Sequence, residues 1–220
     1  GETDEVDLLP DVNLGRWPAT SGSQVSTCVD KVITYENNEA YKQSWFSNIV
    51  TVGGDTSPDY ETLEGEYMNG KVISLMDGFS PEELWASNGK LTSWAPTGVA
   101  SIQSAINSGC GFAYFSGHGS DTTWATHPEE KNNWIPTPTG GIFNSQIQSL
   151  SNGNKLPIVV VEACSTAKFK VNSNCYNWAF MHNSNGGAIA TYGCTALGWG
   201  YVGTGVATGL IGKMGYDTFK

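Results

Sequence analysis

Two short apolar runs end in residues that can carry out thiol chemistry. The first, residues 112–120, reads FAYFSGHGS and contains His118, and the second, residues 156–165, reads LPIVVVEACS and contains Cys164. Runs of this length that are apolar on both faces are typical of buried strands in a parallel sheet, whose carboxyl ends meet at one edge. We therefore predict that His118 and Cys164 face one cleft, where an imidazole can keep the sulfur as a reactive thiolate.

The rest of the chain alternates between strand and helix patterns. Further strands are predicted at residues 47–55, 71–75 and 187–192, and the apolar spacing predicts helices at 21–38 and 98–108. Strands that alternate with helices indicate an α/β fold with a mainly parallel sheet. In that arrangement Asp55, which follows Gly53 and Gly54 at the end of a strand, joins the histidine and the cysteine at the carboxyl edge. The long polar stretch 121–141 is expected to be a loop that covers the cleft.

Charge and composition exclude some classes of partner. The net charge is -10, and only 11 Lys and Arg residues are spread along the 220 residues. Nucleic-acid binding needs clustered basic side chains, so we expect no nucleic-acid partner. The sequence has no apolar run of about 18 residues, so we expect no membrane span. The low charged fraction of 15%, with 27 glycines and 8 tryptophans, favours a secreted protein.

The five cysteines do not form a metal-binding pattern. They occur at positions 28, 110, 164, 175 and 194, with no C-x-x-C spacing and no paired histidines nearby. A zinc site is therefore not expected. An odd number leaves at least one thiol free, as a nucleophile requires. Two other interpretations of Cys164 stay open, namely a disulfide with Cys194 and a small packed side chain without reactivity.

The same segments resemble a known peptidase family. Residues 115–120 with 123–125, and residues 162–169 followed by Cys175, resemble the gingipain family of cysteine peptidases, family C25 of the caspase-like clan. The likeness runs over most of the chain. It implies a caspase-like three-layer α/β sandwich with a mainly parallel sheet. Residues 1–220 would then be one catalytic domain core, a piece of a longer protein without the family's amino-terminal subdomain and trailing immunoglobulin-like domain.

The resemblance also implies roles for particular residues. Cys164 matches the nucleophile, His118 the assisting histidine and Asp55 the acid that orients the imidazole, while Gly119 matches the residue whose backbone N–H helps to form the oxyanion hole. The implied protein is a secreted or cell-surface cysteine endopeptidase that acts on proteins or peptides. No cofactor is required for catalysis in this family, although structural calcium is a possibility that the resemblance brings. The resemblance leaves the oligomeric state open.

Three residues are predicted to bind substrate, with packing in the core or within the loop as the alternative for each. Glu162 lies two residues before Cys164 and so shares its strand face, and Trp199 and Tyr201 lie in the loop after the last strand. That loop lacks the acid with which one gingipain type selects lysine. We therefore expect an apolar or small P1 residue, on the acyl side of the scissile bond. A basic P1 residue would be expected instead if the carboxylate of Glu162, or of an acid within residues 59–66, reached the pocket floor.

A second functional class fits the same residues. The chain could be a non-catalytic or self-processing module that keeps the peptidase fold for secretion or surface assembly. The presence of Cys164 and His118 together favours the enzyme, whereas the implied lack of the family's amino-terminal subdomain weighs against it.

Overall fold

The structure is a computed structural model that describes residues 14–92, 97–136 and 140–220. None of the helices in these ranges is long and apolar enough to cross a membrane. The elements are α1 (Gly22–Asn37), β1 (Asn48–Gly53), α2 (Glu64–Ile73), β2 (Ser80–Trp85), α3 (Thr97–Ser108), β3 (Phe112–Ser116), β4 (His118–Gly119), β5 (Thr123–Ala125), β6 (Ile142–Phe143), α4 (Asn144–Ile147), β7 (Ile158–Glu162), α5 (Tyr176–Met181), β8 (Ala190–Gly193) and α6 (Leu210–Asp217). Short 3₁₀ helices cover Ala40–Lys42 and Gly203–Thr208.

A five-stranded sheet carries the site. Its strand order is β2-β1-β3-β7-β8, and every neighbouring pair is parallel. The register places Gly53, Ser116 and Glu162 side by side at the carboxyl ends of β1, β3 and β7. The prediction of a mainly parallel α/β sheet is therefore confirmed. A small antiparallel sheet, β4-β5-β6, begins two residues after β3 and holds the segment of His118 in place.

Helices cover both faces of the sheet and make three layers. The larger core lies between the sheet and α1, α3, α4 and α5, and the smaller core lies between the sheet and α2 and α6. Successive strand residues alternate between the two cores: Val50, Phe115 and Val161 face the larger core, and Ile49, Tyr114 and Val160 face the smaller one. Burial on both faces is the reason why these strands read as continuous apolar runs.

Two predicted elements differ from the structure. The strand predicted at residues 71–75 is wrong, because α2 continues to Ile73. Met68 and Val72 lie one helical turn apart and pack together in the smaller core, so tertiary packing keeps the segment helical. The stretch 121–141, predicted to be a loop, contains β5 and the bridge between Thr126 and Ile135. Residues 137–139 of that stretch lie outside the described residues.

Candidate active site

A cleft of about 150 Å³ opens at the carboxyl edge of the sheet. His118 enters it from the start of β4, and Cys164 enters it two residues after the end of β7. The parallel register brings β3 and β7 to the same edge, so the turns that follow them meet there. The structure thus brings together the two residues that the sequence singled out.

Cys164 presents a free thiol to this cleft. All five cysteines are free, and Cys164 is partly exposed, so the alternative of a disulfide with Cys194 is not what the structure contains. The backbone N–H of Gly198 lies 3.4 Å from the sulfur, and the carbonyl oxygen of the same residue lies 3.5 Å from it, so Gly198 holds the thiol in position. Ser165 follows in the left-handed region with φ 59°. Such a backbone costs about 1–3 kcal/mol for a residue other than glycine, and it is common at functional turns.

The imidazole of His118 is held by a backbone carbonyl. Its Nε2 atom lies 2.8 Å from the carbonyl oxygen of Thr56. A carbonyl oxygen can only accept a hydrogen bond, so Nε2 carries the proton in the neutral ring. Nδ1 then carries the lone pair, and it is the ring atom that can accept a proton.

Asp55 lies next to the site but does not make the orienting hydrogen bond. The carboxylate is 1% exposed and accepts from the backbone N–H of Ser57 at 2.9 Å and of Glu130 at 3.1 Å. The expectation that it orients His118 directly is therefore corrected: the carbonyl of the next residue, Thr56, occupies that position. Asp55 instead fastens the loop that contains Glu130 to the end of β1.

A second buried acid, Glu64, supports the same segment. It is 1% exposed at the start of α2, where one carboxylate oxygen accepts from the Thr56 hydroxyl at 3.0 Å. The other oxygen accepts from the N–H of Gly203 at 2.9 Å. Glu64 thus joins Thr56, which holds the imidazole, to the loop beyond the last strand. The sequence pointed only to the acidic stretch 59–66, and the helix start within it was the signal that could have singled out Glu64.

Glycines let the two turns approach each other. A Cβ atom on Gly119 would lie 2.7 Å from the carbonyl oxygen of Cys164 and 2.6 Å from the Thr166 methyl group. A Cβ atom on Gly117 would lie 2.8 Å from the carbonyl oxygen of Ala125. Only glycine fits at either position without movement of the neighbouring backbone. The role of the Gly119 N–H in an oxyanion hole stays a prediction.

Glu162 is the one carboxylate among the described residues that line the cleft. Its carboxyl group accepts a hydrogen bond from the buried hydroxyl of Tyr114, and Gly215 of α6 packs against it where a larger residue would collide. Burial raises the pKa of Glu162 to about 8, although the Tyr114 hydrogen bond lowers it. Near pH 6 the group is therefore mainly protonated, so Glu162 adds little negative charge to the cleft there.

This raised pKa predicts a pH dependence of stability. In the unfolded chain Glu162 ionises near 4.5, whereas the folded protein keeps the proton up to about 8. Between these values the folded state binds more protons, so the free energy of unfolding should fall as the pH rises. Glu162→Gln should lack this contribution, so the free energy of unfolding of the variant should fall by up to about 1.4 kcal/mol less per pH unit than that of the wild type. Urea denaturation of both proteins at pH 5, 6, 7 and 8 measures it, and equal slopes would contradict the prediction.

The two aromatic residues predicted to bind substrate have different positions. Tyr201 lines the cleft together with Gly198, Gly200 and Val202, as the interpretation of this loop anticipated. Trp199 does not line it, and its side chain is 72% exposed. Trp199 therefore faces solvent, although the residues on both sides of it line the cleft.

The described residues offer no evident metal site. Within residues 14–92, 97–136 and 140–220, no group of three or more His, Cys, Asp or Glu side chains could hold a metal ion. The structural calcium that the resemblance implies therefore does not fit any side-chain cluster in the part of the chain that the structure describes. No step below depends on a metal.

Two solved structures have a fold similar to that of this chain. The fold is similar to that of a crystal structure of the Arg-specific cysteine proteinase gingipain R (RgpB), with a TM-score of 0.64 and 20% identity over 84% of this chain and 40% of that chain. A complex of the pro- and mature domains of Porphyromonas gingivalis RgpB gives a TM-score of 0.65, with 21% identity over 85% of this chain and 41% of that chain. The fold is therefore that of the caspase-like α/β proteins, as predicted.

Residues 1–218 match the model of peptidase family C25, and the chain belongs to that family. Two curated relatives are Lys-gingipain HG66 of Porphyromonas gingivalis, 24% identical over 85% of this chain, and Gingipain R2 of the same organism, 24% identical over 82% of this chain. The chain spans 10% of the first relative and 22% of the second, so it corresponds to a small part of each. The predicted resemblance to the gingipains is confirmed.

Proposed function

We propose that this chain carries the catalytic centre of a secreted cysteine endopeptidase. The observation that carries the proposal is the shared cleft of a free thiol on Cys164 and an imidazole on His118 whose Nε2 is fixed by Thr56. A thiol with a positioned base beside it is the arrangement that nucleophilic catalysis requires. Membership of a cysteine-peptidase family supports the same chemistry. Secretion is supported by the composition of the chain and by its resemblance to the gingipains.

The proposed reaction gives each group a step. Nδ1 of His118 takes the thiol proton, and the Cys164 thiolate attacks the carbonyl carbon of the scissile bond. The backbone N–H groups of Gly119 and Cys164 would hold the negative oxygen. The imidazolium then gives its proton to the leaving amine as the C–N bond breaks, which leaves a thioester. Water hydrolyses the thioester with the same imidazole acting as the base.

A peptide library tests this proposal. The full-length protein is incubated with the library, and mass spectrometry identifies the products that carry new termini. We expect cleavage at internal peptide bonds that is lost in the Cys164→Ala variant. Cleavage confined to the protein's own chain would favour a self-processing module, and no Cys164-dependent product of either kind would refute the peptidase.

The preference for the P1 residue should depend on pH. The walls of the cleft include Tyr201, Val206 and Ile211, and near pH 6 the Glu162 carboxyl group is mainly neutral. Small or apolar P1 residues should therefore be preferred at pH 6. As the pH rises through about 8, ionisation of Glu162 should increase cleavage after Lys or Arg. The ratio of kcat/KM for a Lys and a Leu substrate, measured at pH 6 and pH 9, gives the result.

The matched control for this prediction is Glu162→Gln. The amide keeps an acceptor for the Tyr114 hydroxyl but cannot ionise. We expect the variant to keep the preference for small or apolar residues and to lose its pH dependence. Strict cleavage after Lys or Arg at pH 6, in both proteins, would contradict the prediction and would point to another carboxylate.

A further inference from the structure

A second and larger cavity adjoins the imidazole. It has a volume of about 440 Å³, and its lining includes Trp134, Ala125 and Phe143. Among the described residues, His118 is the one that lines both this cavity and the cleft of Cys164. The imidazole thus stands between the two spaces. Of the described residues that line this second cavity, the reaction proposed above uses only His118 and Gly119 and gives the others no role.

Trp134 is held in place although its side chain is 44% exposed. Its ring packs on the imidazole of His127, with the ring centres 3.9 Å apart and the planes tilted by 32°, and meets the His118 ring edge to face at 5.3 Å. His127 is fixed in turn, because its backbone pairs with that of Asp55 through hydrogen bonds of 2.9 and 3.0 Å. A partly exposed tryptophan that the fold holds rigid is a ready contact surface for an apolar group.

The lining is suited to an uncharged side chain. Apart from His118, none of the described lining residues is ionisable. The hydroxyl groups already have partners within the protein: Thr123 donates to the carbonyl of Ile142 at 3.1 Å, and Ser120 accepts from the N–H of Thr122 at 3.2 Å. A charged group would lose its water here without gaining a partner, whereas an apolar one would be stabilised by burial.

We propose that this cavity binds the apolar side chain of the substrate residue that carries the leaving amine. The proposal rests on the proposed peptidase function. An imidazole that protonates the leaving amine must face the amine side of the scissile bond, and the residue attached to that nitrogen begins within a few atoms of the ring. The Cys164 cleft lies on one side of His118 and takes the acyl side. The cavity with Trp134 then takes the amine side.

The reverse of this step gives a test that does not depend on the P1 preference. An acyl-enzyme formed on Cys164 can react with an added amine in place of water. The amine nitrogen attacks the thioester carbonyl, the C–N bond forms and the C–S bond breaks. The sulfur leaves as a thiolate, and the amine proton passes to Nδ1 of His118. An amine that binds in the cavity should therefore compete better with water.

The experiment uses the full-length protein and an acylating peptide substrate taken from the library. Leucinamide, glycinamide and aspartic acid α-amide are added separately as competing amines, and the ratio of aminolysis to hydrolysis is measured by mass spectrometry. We expect the ratio for leucinamide to exceed that for glycinamide by about tenfold or more, since only the former buries a large apolar side chain. The aspartic acid amide should give the lowest ratio.

Variants then assign the preference to this cavity. Trp134→Ala should bring the leucinamide ratio several-fold closer to that of glycinamide, and Phe143→Ala, which changes another lining residue, provides a second variant if the first does not fold. The matched control is Trp17→Ala, because Trp17 is 42% exposed and lines neither cavity. It should leave the ratio unchanged.

The outcomes separate the two proposals. Cys164-dependent hydrolysis with equal ratios for all three amines would overturn the amine-side site and leave the peptidase intact. A leucinamide preference that survives both cavity variants would overturn the assignment to Trp134 and Phe143. Absence of any acyl-enzyme on Cys164 would overturn both the peptidase and the site.

Discussion

Replacement of Cys164 by alanine is expected to lower kcat/KM for peptide hydrolysis by a factor on the order of 10³ or more. The variant removes the sulfur that forms the thioester, while the cleft and the imidazole stay in place. Binding of substrate should change little, so the loss should lie mainly in kcat. Steady-state kinetics with a peptide from the library, together with an unfolding curve that shows an intact fold, measures the effect.

Cys194 provides the matched control for this substitution. It is also partly exposed, and it directly follows β8, the strand next to β7. Burial raises the pKa of the Cys194 thiol, and the neighbouring Cys164 raises it further, so Cys194 is a poor nucleophile. We expect Cys194→Ser to retain activity. Retained hydrolysis in Cys164→Ala, or its loss only in Cys194→Ser, would assign the chemistry to another thiol.

Replacement of His118 by alanine should lower kcat by about 10²–10⁴-fold. The variant removes both the base that takes the thiol proton and the acid that protonates the leaving amine. It should also slow the alkylation of Cys164 by iodoacetamide near neutral pH, because the thiolate loses its partner. A general loss of structure would not produce this slow alkylation, since unfolding exposes the thiol. Kinetics and the rate of alkylation are measured on the same preparation.

His182 and Asp55 show whether this effect is specific. His182 bonds to Asn174 at 2.8 Å and packs on Trp178, and it lines neither cavity, so His182→Ala should keep turnover close to that of the wild type. Asp55→Asn should cost less than His118→Ala, because Asp55 acts on the site through the loop of Glu130 and not on the imidazole itself. An equal loss of kcat in the His118 and His182 variants would show that the histidine effect is structural.

The sheet and the two reactive residues could be predicted from sequence for the same physical reason. Strands buried on both faces must be apolar throughout, so β1, β3 and β7 stand out as short continuous runs. Because they are parallel, the residues that follow them meet at one edge, and His118 and Cys164 follow two adjacent strands. Pattern and topology together were enough to place both in one cleft.

Strand β2 and the end of α2 could not be predicted from the hydrophobic pattern. Strand β2 contains Pro81, Glu82 and Glu83 and lies at an edge of the sheet, where one side needs no partner strand and polar residues are tolerated. The segment 71–75 contains β-branched residues, but Met68 and Val72 keep its first part helical. In both cases the deciding contacts come from distant parts of the chain.

The group that holds the imidazole of His118 could not be predicted from the sequence, for a different reason. Nε2 is held by the backbone carbonyl oxygen of Thr56. Every residue type has this carbonyl, so the identity of residue 56 does not indicate the contact. Asp55, one residue earlier, has the expected chemistry but turns its carboxylate toward the backbone of Ser57 and Glu130. Likewise, only the folded chain shows that the Trp134 ring packs on His127 beside the site.

Labelling with an electrophilic peptide tests the central claim most directly. A peptidyl acyloxymethyl ketone, with its sequence taken from the cleaved library peptides, is incubated with the native protein, and the labelled residue is identified by mass spectrometry. We predict one label per chain, on Cys164, with loss of hydrolysis in proportion to labelling and no label in the His118→Ala variant over the same time. Inactivation through a label on any other cysteine, or full hydrolysis by a protein labelled on Cys164, would contradict the account.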